Sequence, residues 1–145
     1  MEQKEFLARL DQPRIVEAIG AAESRTSGEI RVHVQPKAGD DIRNVAEKTF
    51  ERLGMTKTNL RNGVLLFIAS DENQFVILGD KGIDDRVPAG FWDRIAAALT
   101  IRFKAGEFTE GIIDAISAAG EQLRTYFPHE TDDVDELSND INVSD

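Results

Sequence analysis

The feature that most constrains the fold is a run of six apolar residues, Val64–Ala69, which no polar side chain interrupts. A strand carries such a continuous run when both of its faces are covered, as in the sheets of α/β proteins. The run is too short to span a bilayer, which takes roughly twenty apolar residues. We therefore predict a central strand that is buried on both faces.

The segments around this run predict a small sheet with helices. Glu29–Gln35 alternates, with Ile30, Val32 and Val34 on one face, and this pattern is typical of a strand with one apolar face. Phe75–Leu78 follows a tight turn and predicts a hairpin partner for the central strand. Apolar spacing and capping residues predict helices over about 11–25, from Asp40 or Asp41 to Gly54, from Trp92 to Phe103, and from Ile112 to Phe127.

Composition excludes several kinds of site and partner. The chain has no cysteine, which excludes disulfides, thiolate nucleophiles and cysteine-bound zinc or iron–sulfur clusters. It has no basic stripe of the kind that binds nucleic acid, and no apolar signal core near its start. We therefore expect a soluble, cytoplasmic chain that neither inserts into membranes nor binds nucleic acid.

Charge divides the chain into two parts. Residues 129–145 carry seven acidic residues and no Lys or Arg, whereas residues 1–128 carry 20 acidic and 17 basic residues. The apolar period also ends near Pro128. We predict one domain over residues 1–128, followed by an acidic tail over 129–145 that is flexible or draped on the surface.

The predicted topology brings oxygen-bearing side chains to one edge of the sheet. A strand–helix–strand unit in one sheet is almost always a parallel crossover, so both strands begin at the same edge, where the hairpin strand ends. Loops 26–29, 61–63 and 79–85 then converge there. Their oxygen donors suit Ca²⁺ or Mg²⁺, although Asn, Asp and Gly are also ordinary turn residues. The candidate metal ligands are Glu29, Asp80 and Asp84, and the candidate ligand-positioning residues are Asn62 and Lys81.

The same segments resemble the TPM domain family. The resemblance covers about residues 10–128 and rests on the order and spacing of several motifs: Thr26–Val32, Arg61–Leu65, Gly79–Ile83, Phe91-Trp92 and Phe103–Phe108. It implies a three-layer α/β/α sandwich, Rossmann-like, with a small mixed parallel and antiparallel sheet of three to four strands flanked by helices. It also implies divalent cations, calcium among them, and a phosphatase activity in some members. The chain is most similar to the free-standing, soluble bacterial form.

Three functions follow as hypotheses. The first is a weak divalent-cation (calcium) binding module with a role in interaction or regulation. The alternative is a metal-assisted phosphomonoesterase, in which a cation polarises a phosphoryl group and activates water while Asn62 and Lys81 or Arg61 hold the substrate. In the third there is no site, and the acidic tail binds a protein partner. The absence of a recognisable nucleophile favours the first hypothesis over the second.

Overall fold

The computed structural model describes residues 1–128 and 141–144, so most of the predicted acidic tail lies outside the described residues. The described part contains six α-helices and four strands. The helices are α1 (Gln3–Ala8), α2 (Gln12–Glu23), α3 (Ile42–Arg52), α4 (Lys81–Asp84), α5 (Phe91–Lys104) and α6 (Phe108–Tyr126). The strands are β1 (Glu29–Gln35), β2 (Gly63–Ala69), β3 (Gln74–Gly79) and β4 (Asn142–Val143).

The strands form one mixed sheet in the order β3-β2-β1-β4. β1 and β2 are parallel and are joined through α3, whereas β3 runs antiparallel to β2 as a hairpin. Both pairings confirm the predicted topology. β4 pairs parallel with β1 at His33 and Val34, and this strand was not predicted, because two residues of an acidic segment carry no periodic signal.

β2 lies at the centre of the fold, and all seven of its residues are buried. Its even-numbered side chains pack with apolar residues of α2, α5 and α6, and its odd-numbered ones pack with Ala46, Phe50 and Met55 on and after α3. The sheet therefore separates two apolar layers. This arrangement confirms the α/β/α sandwich and explains why the run Val64–Ala69 is uninterrupted.

The helices confirm most of the predicted boundaries. Asp11 caps α2 by accepting a hydrogen bond from the backbone of Arg14, and Asp41 caps α3 in the same way through Asn44. The short helices α1 and α4 were not predicted, since each is too brief to show a period. Among the described helices, none combines the length and the apolar character needed to cross a bilayer.

The helical turn α4 is held tightly against the loop before β2. The backbone N–H of Gly82 donates to the carbonyl of Arg61 at 2.8 Å, and that of Asp80 donates to the carbonyl of Gly63 at 2.8 Å. A Cβ atom at Gly82 would lie 2.2 Å from the carbonyl oxygen of Leu60. Only glycine allows this approach, so Gly82 fixes where α4 begins relative to β2.

We predict that Gly82→Ala destabilises the fold by about 1–3 kcal/mol, because the new methyl group collides with backbone that cannot rotate away. Gly63→Ala is the matched control, since its Cβ would meet its nearest atoms at an ordinary 3.4 Å. Thermal unfolding measures both. The expected result is a midpoint lower by at least about 4 °C for Gly82→Ala than for Gly63→Ala. Equal midpoints would show that α4 is free to move away from the loop.

Candidate cation-binding site at the loop edge of the sheet

The predicted convergence of three loops is confirmed by the strand register. Glu29 lies opposite Gly63, and Val64 lies opposite Gly79. The start of β1, the start of β2 and the end of β3 therefore share one edge of the sheet, which we call the loop edge. Three predicted site residues belong to this edge and are almost fully buried, with exposed fractions of 2% for Glu29, 1% for Asn62 and 7% for Asp80.

The carboxylate of Asp80 forms an ion pair with the guanidinium of Arg61. The guanidinium donates from Nε to Oδ2 at 2.6 Å and from its terminal nitrogen to Oδ1 at 2.9 Å, a bidentate pair. The hydrogen bond to Asp80 raises the pKa of Arg61 above its usual value. Oδ1 also accepts from the backbone N–H of Lys81 at 2.8 Å, so the same carboxylate caps α4.

Arg61 reaches Asp80 from a turn in the left-handed region of backbone conformation. Its φ is 52°, and its N–H donates to the carbonyl of Thr58 at 3.3 Å. This conformation is uncommon for a residue with a long side chain. Because β2 begins two residues later, the turn places the guanidinium at the loop edge, while Asn62 between them is buried.

Asn62 ties two of the loops together. Its Nδ2 donates to the hydroxyl of Ser27 at 3.2 Å. The loop that carries Ser27 is itself fixed by Thr26, whose hydroxyl donates to the carbonyl of Leu123 at 3.1 Å and accepts from the N–H of Gly28 at 3.0 Å. Asn62 therefore sits in a rigid setting, and its predicted role in positioning a ligand stays a prediction.

Two buried carboxylates flank the start of β1. Glu29 is its first residue, and Glu23 comes from the last turn of α2, where its Oε2 accepts from the N–H of Ile30 at 2.8 Å. Burial of a carboxylate is costly unless polar groups compensate for the lost water. Glu23 was not predicted as part of this edge, because a helix residue gives no sequence signal that it will meet a strand six positions later.

Lys81 and Asp84 lie on the exposed side of α4. Asp84 accepts a hydrogen bond from Nε1 of Trp92 at 2.9 Å, so its carboxylate is directed toward α5. Across residues 1–128 and 141–144, no three His, Asp or Glu side chains come together closely enough to hold a metal ion between them. Asp80 and Asp84 thus have different partners, Arg61 and Trp92, and a metal site at the loop edge stays a prediction.

Comparison with solved structures places the chain among small bacterial domains. The NMR structure of the BA42 protein from the psychrophilic bacterium Bizionia argentinensis is 45% identical, covers 92% of each chain and superposes with a TM-score of 0.84. The N-terminal domain of a protein from P. gingivalis is 21% identical, covers 79% of this chain and 76% of that one, and gives a TM-score of 0.60, which shows a shared fold. None of the curated proteins matches.

A family model gives the most specific assignment. The model of the TPM domain matches residues 1–122, which include every element from α1 to most of α6 and all of the loop edge. The match confirms the resemblance carried by the loop motifs. It ends before the acidic segment and β4. On this match and the solved relatives, the chain belongs to the TPM domain family.

Proposed function

We propose that this TPM domain is a weak binding module for divalent cations, Ca²⁺ or Mg²⁺, with a role in interaction or regulation. The observation that carries the proposal is the burial of oxygen donors from three separate loops at one sheet edge: Glu29, Asn62 and Asp80. Carboxylate and amide oxygens are the ligands that these hard cations prefer.

The donor set suits calcium better than a transition metal. It contains no thiolate, and the two carboxylates and one amide can be completed by backbone carbonyls and water, as in many Ca²⁺ sites. Asp84 is one helical turn beyond Asp80 and can join the shell if it leaves Trp92. Such a site is not preorganised, so we expect a dissociation constant on the order of 10⁻⁴–10⁻³ M.

Arg61 supports a weak and adjustable affinity. A cation that binds Asp80 has to compete with a guanidinium that already makes two charge-assisted hydrogen bonds to it. Displacement would swing Arg61 into solvent, since its side chain is already 36% exposed. Cation binding would then change the charge and shape of the loop edge, which is what a regulatory module requires.

We predict that Ca²⁺ changes the fluorescence of Trp92, the only tryptophan of the chain, because it draws Asp84 away from the indole. The titration is done at about 0.15 M salt, where diffuse binding to exposed acidic residues is screened. Asp80→Asn keeps the helix cap, since Asn also caps, and should weaken binding at least tenfold. Asp85→Asn, an exposed neighbour on the same turn, is the matched control and should bind normally.

Two outcomes would contradict this function. One is a titration that Asp80→Asn leaves unchanged, which would place the cation elsewhere, for example on the acidic segment 129–145. The other is metal-dependent hydrolysis of a generic phosphomonoester that Asp80→Asn abolishes. That result would favour the phosphomonoesterase over a module that only binds.

We further predict that Arg61→Asn raises the affinity for Ca²⁺ by about three- to tenfold, because Asp80 no longer has to be released from a bidentate pair. Asn suits this position, since it tolerates the left-handed backbone. Arg86→Asn is the control, because it removes the same charge from an exposed residue nearby. Isothermal calorimetry compares the two variants. Equal affinities would mean that Arg61 and the cation do not compete for Asp80.

A further inference from the structure

The edge of β1 that faces away from β2, which we call its outer edge, makes hydrogen bonds with two other parts of the chain. Near its start, the N–H of Ile30 donates to the carboxylate of Glu23. Near its end, the carbonyl of Val34 accepts from the N–H of Ser144 at 3.0 Å, next to the two-residue strand β4. A strand edge left open pairs readily with another extended chain, so the cover at Val34 marks where such a chain fits.

His33 gives this edge a specific recognition group. Its ring is fully buried and stacks on Phe67 with ring centres 5.2 Å apart. Nδ1 is 2.6 Å from Nδ2 of Asn142, and Nε2 is 2.8 Å from Oε1 of Gln35. The amide of Asn142 can only donate through Nδ2, so Nδ1 accepts and the ring proton lies on Nε2.

The hydrogen bond at the other ring nitrogen, Nε2, favours the same tautomer of His33. Gln35 presents Oε1 to the ring because its own Nε2 donates to the carbonyl of Lys37 at 2.8 Å. Burial, together with the nearby Arg52 and Arg31, lowers the pKa of His33 despite the hydrogen bond that Nε2 donates to Gln35, and the lowered pKa favours the neutral ring. Nδ1 is therefore held as an acceptor that selects a side chain with an N–H or O–H to donate.

β4 covers only a small part of the outer edge of β1. β4 pairs through two residues only, and Val143 is 41% exposed, so little apolar surface is buried there. A two-residue strand pairing contributes little to stability by itself, since even isolated hairpins are only marginally stable in water. β4 also lies beyond residues 1–122 that match the TPM domain. The contact is thus small and lies outside the region that matches the family model.

Charge beside this edge favours an acidic occupant. Arg31 lies two residues before His33, and its buried Nε has no hydrogen-bond partner within the described residues. A buried donor without a partner is costly, and a carboxylate would relieve that cost. The segment that leads into β4 carries six acidic residues between 129 and 140. The chain therefore carries an acidic stretch directly before the strand that pairs with β1.

We propose that the outer edge of β1 is a binding site for an extended, acidic segment of a partner protein that presents an Asn side chain to His33, and that Asn142–Ser144 occupies it as an intramolecular substitute. The site does not depend on the cation proposal. It involves the end of β1 rather than the loop edge, and its test contains no metal.

The test uses the full-length chain with Asn142→Ala, which weakens the internal occupant, and a synthetic peptide of residues 137–145. Peptide binding is followed by NMR at the amide of Val34 and at the ring nitrogens of His33. The internal segment competes at an effective concentration of about millimolar. We therefore expect the peptide to bind the Asn142→Ala chain at least tenfold more tightly than the wild-type chain.

Two altered peptides provide the specificity control. The peptide with Asn142→Ala should lose most of its affinity, whereas the peptide with Asn139→Ala, a matched change three residues earlier, should bind normally. The proposal is overturned if the folded Asn142→Ala chain shows no shift at Val34, or if both altered peptides bind equally. It is also overturned if the wild-type chain sediments as a dimer through exchanged C-terminal segments, since the occupant would then be a second copy.

Discussion

The whole structure depends on the burial of β2 between two apolar layers. Every residue of Gly63–Ala69 is buried, so apolar layers have to cover both faces of this strand. β1 takes one flank in parallel and β3 takes the other as a hairpin. Because β1 and β2 start at the same end of the sheet and β3 returns to it, the loops before β1, before β2 and after β3 meet at one edge.

The loop edge combines a fixed backbone with an ion pair that is partly exposed. Gly82 allows α4 to approach the loop before β2 closely, and that approach brings Asp80 to Arg61. The carboxylate is therefore held by the packing of the backbone, while its partner is a side chain that can leave. A cation that replaced the guanidinium would alter the surface and leave the core unchanged.

Helices and strands with a regular repeat of apolar residues could be predicted from the sequence. Features that depend on contacts between residues far apart in the chain could not. The alternation of Glu29–Gln35 and the apolar run in β2 were sufficient for the topology, and the topology was sufficient for the loop edge. The bidentate ion pair between Arg61 and Asp80 could not be predicted, because it requires a left-handed backbone conformation at Arg61. His33 alternates with the apolar residues Val32 and Val34, so the pattern alone gives no reason to expect its burial, yet β4 and Phe67 cover it.

The most direct measurement of the central claim is the NMR signal of the Nε proton of Arg61, which donates to Asp80 in the structure. If a cation binds at the loop edge, added Ca²⁺ will shift this signal and speed its exchange with water, with the same midpoint as the fluorescence of Trp92. Sodium chloride at equal ionic strength will not do so. A signal that stays unchanged up to saturating Ca²⁺ would contradict the account, because Asp80 would then have remained with Arg61.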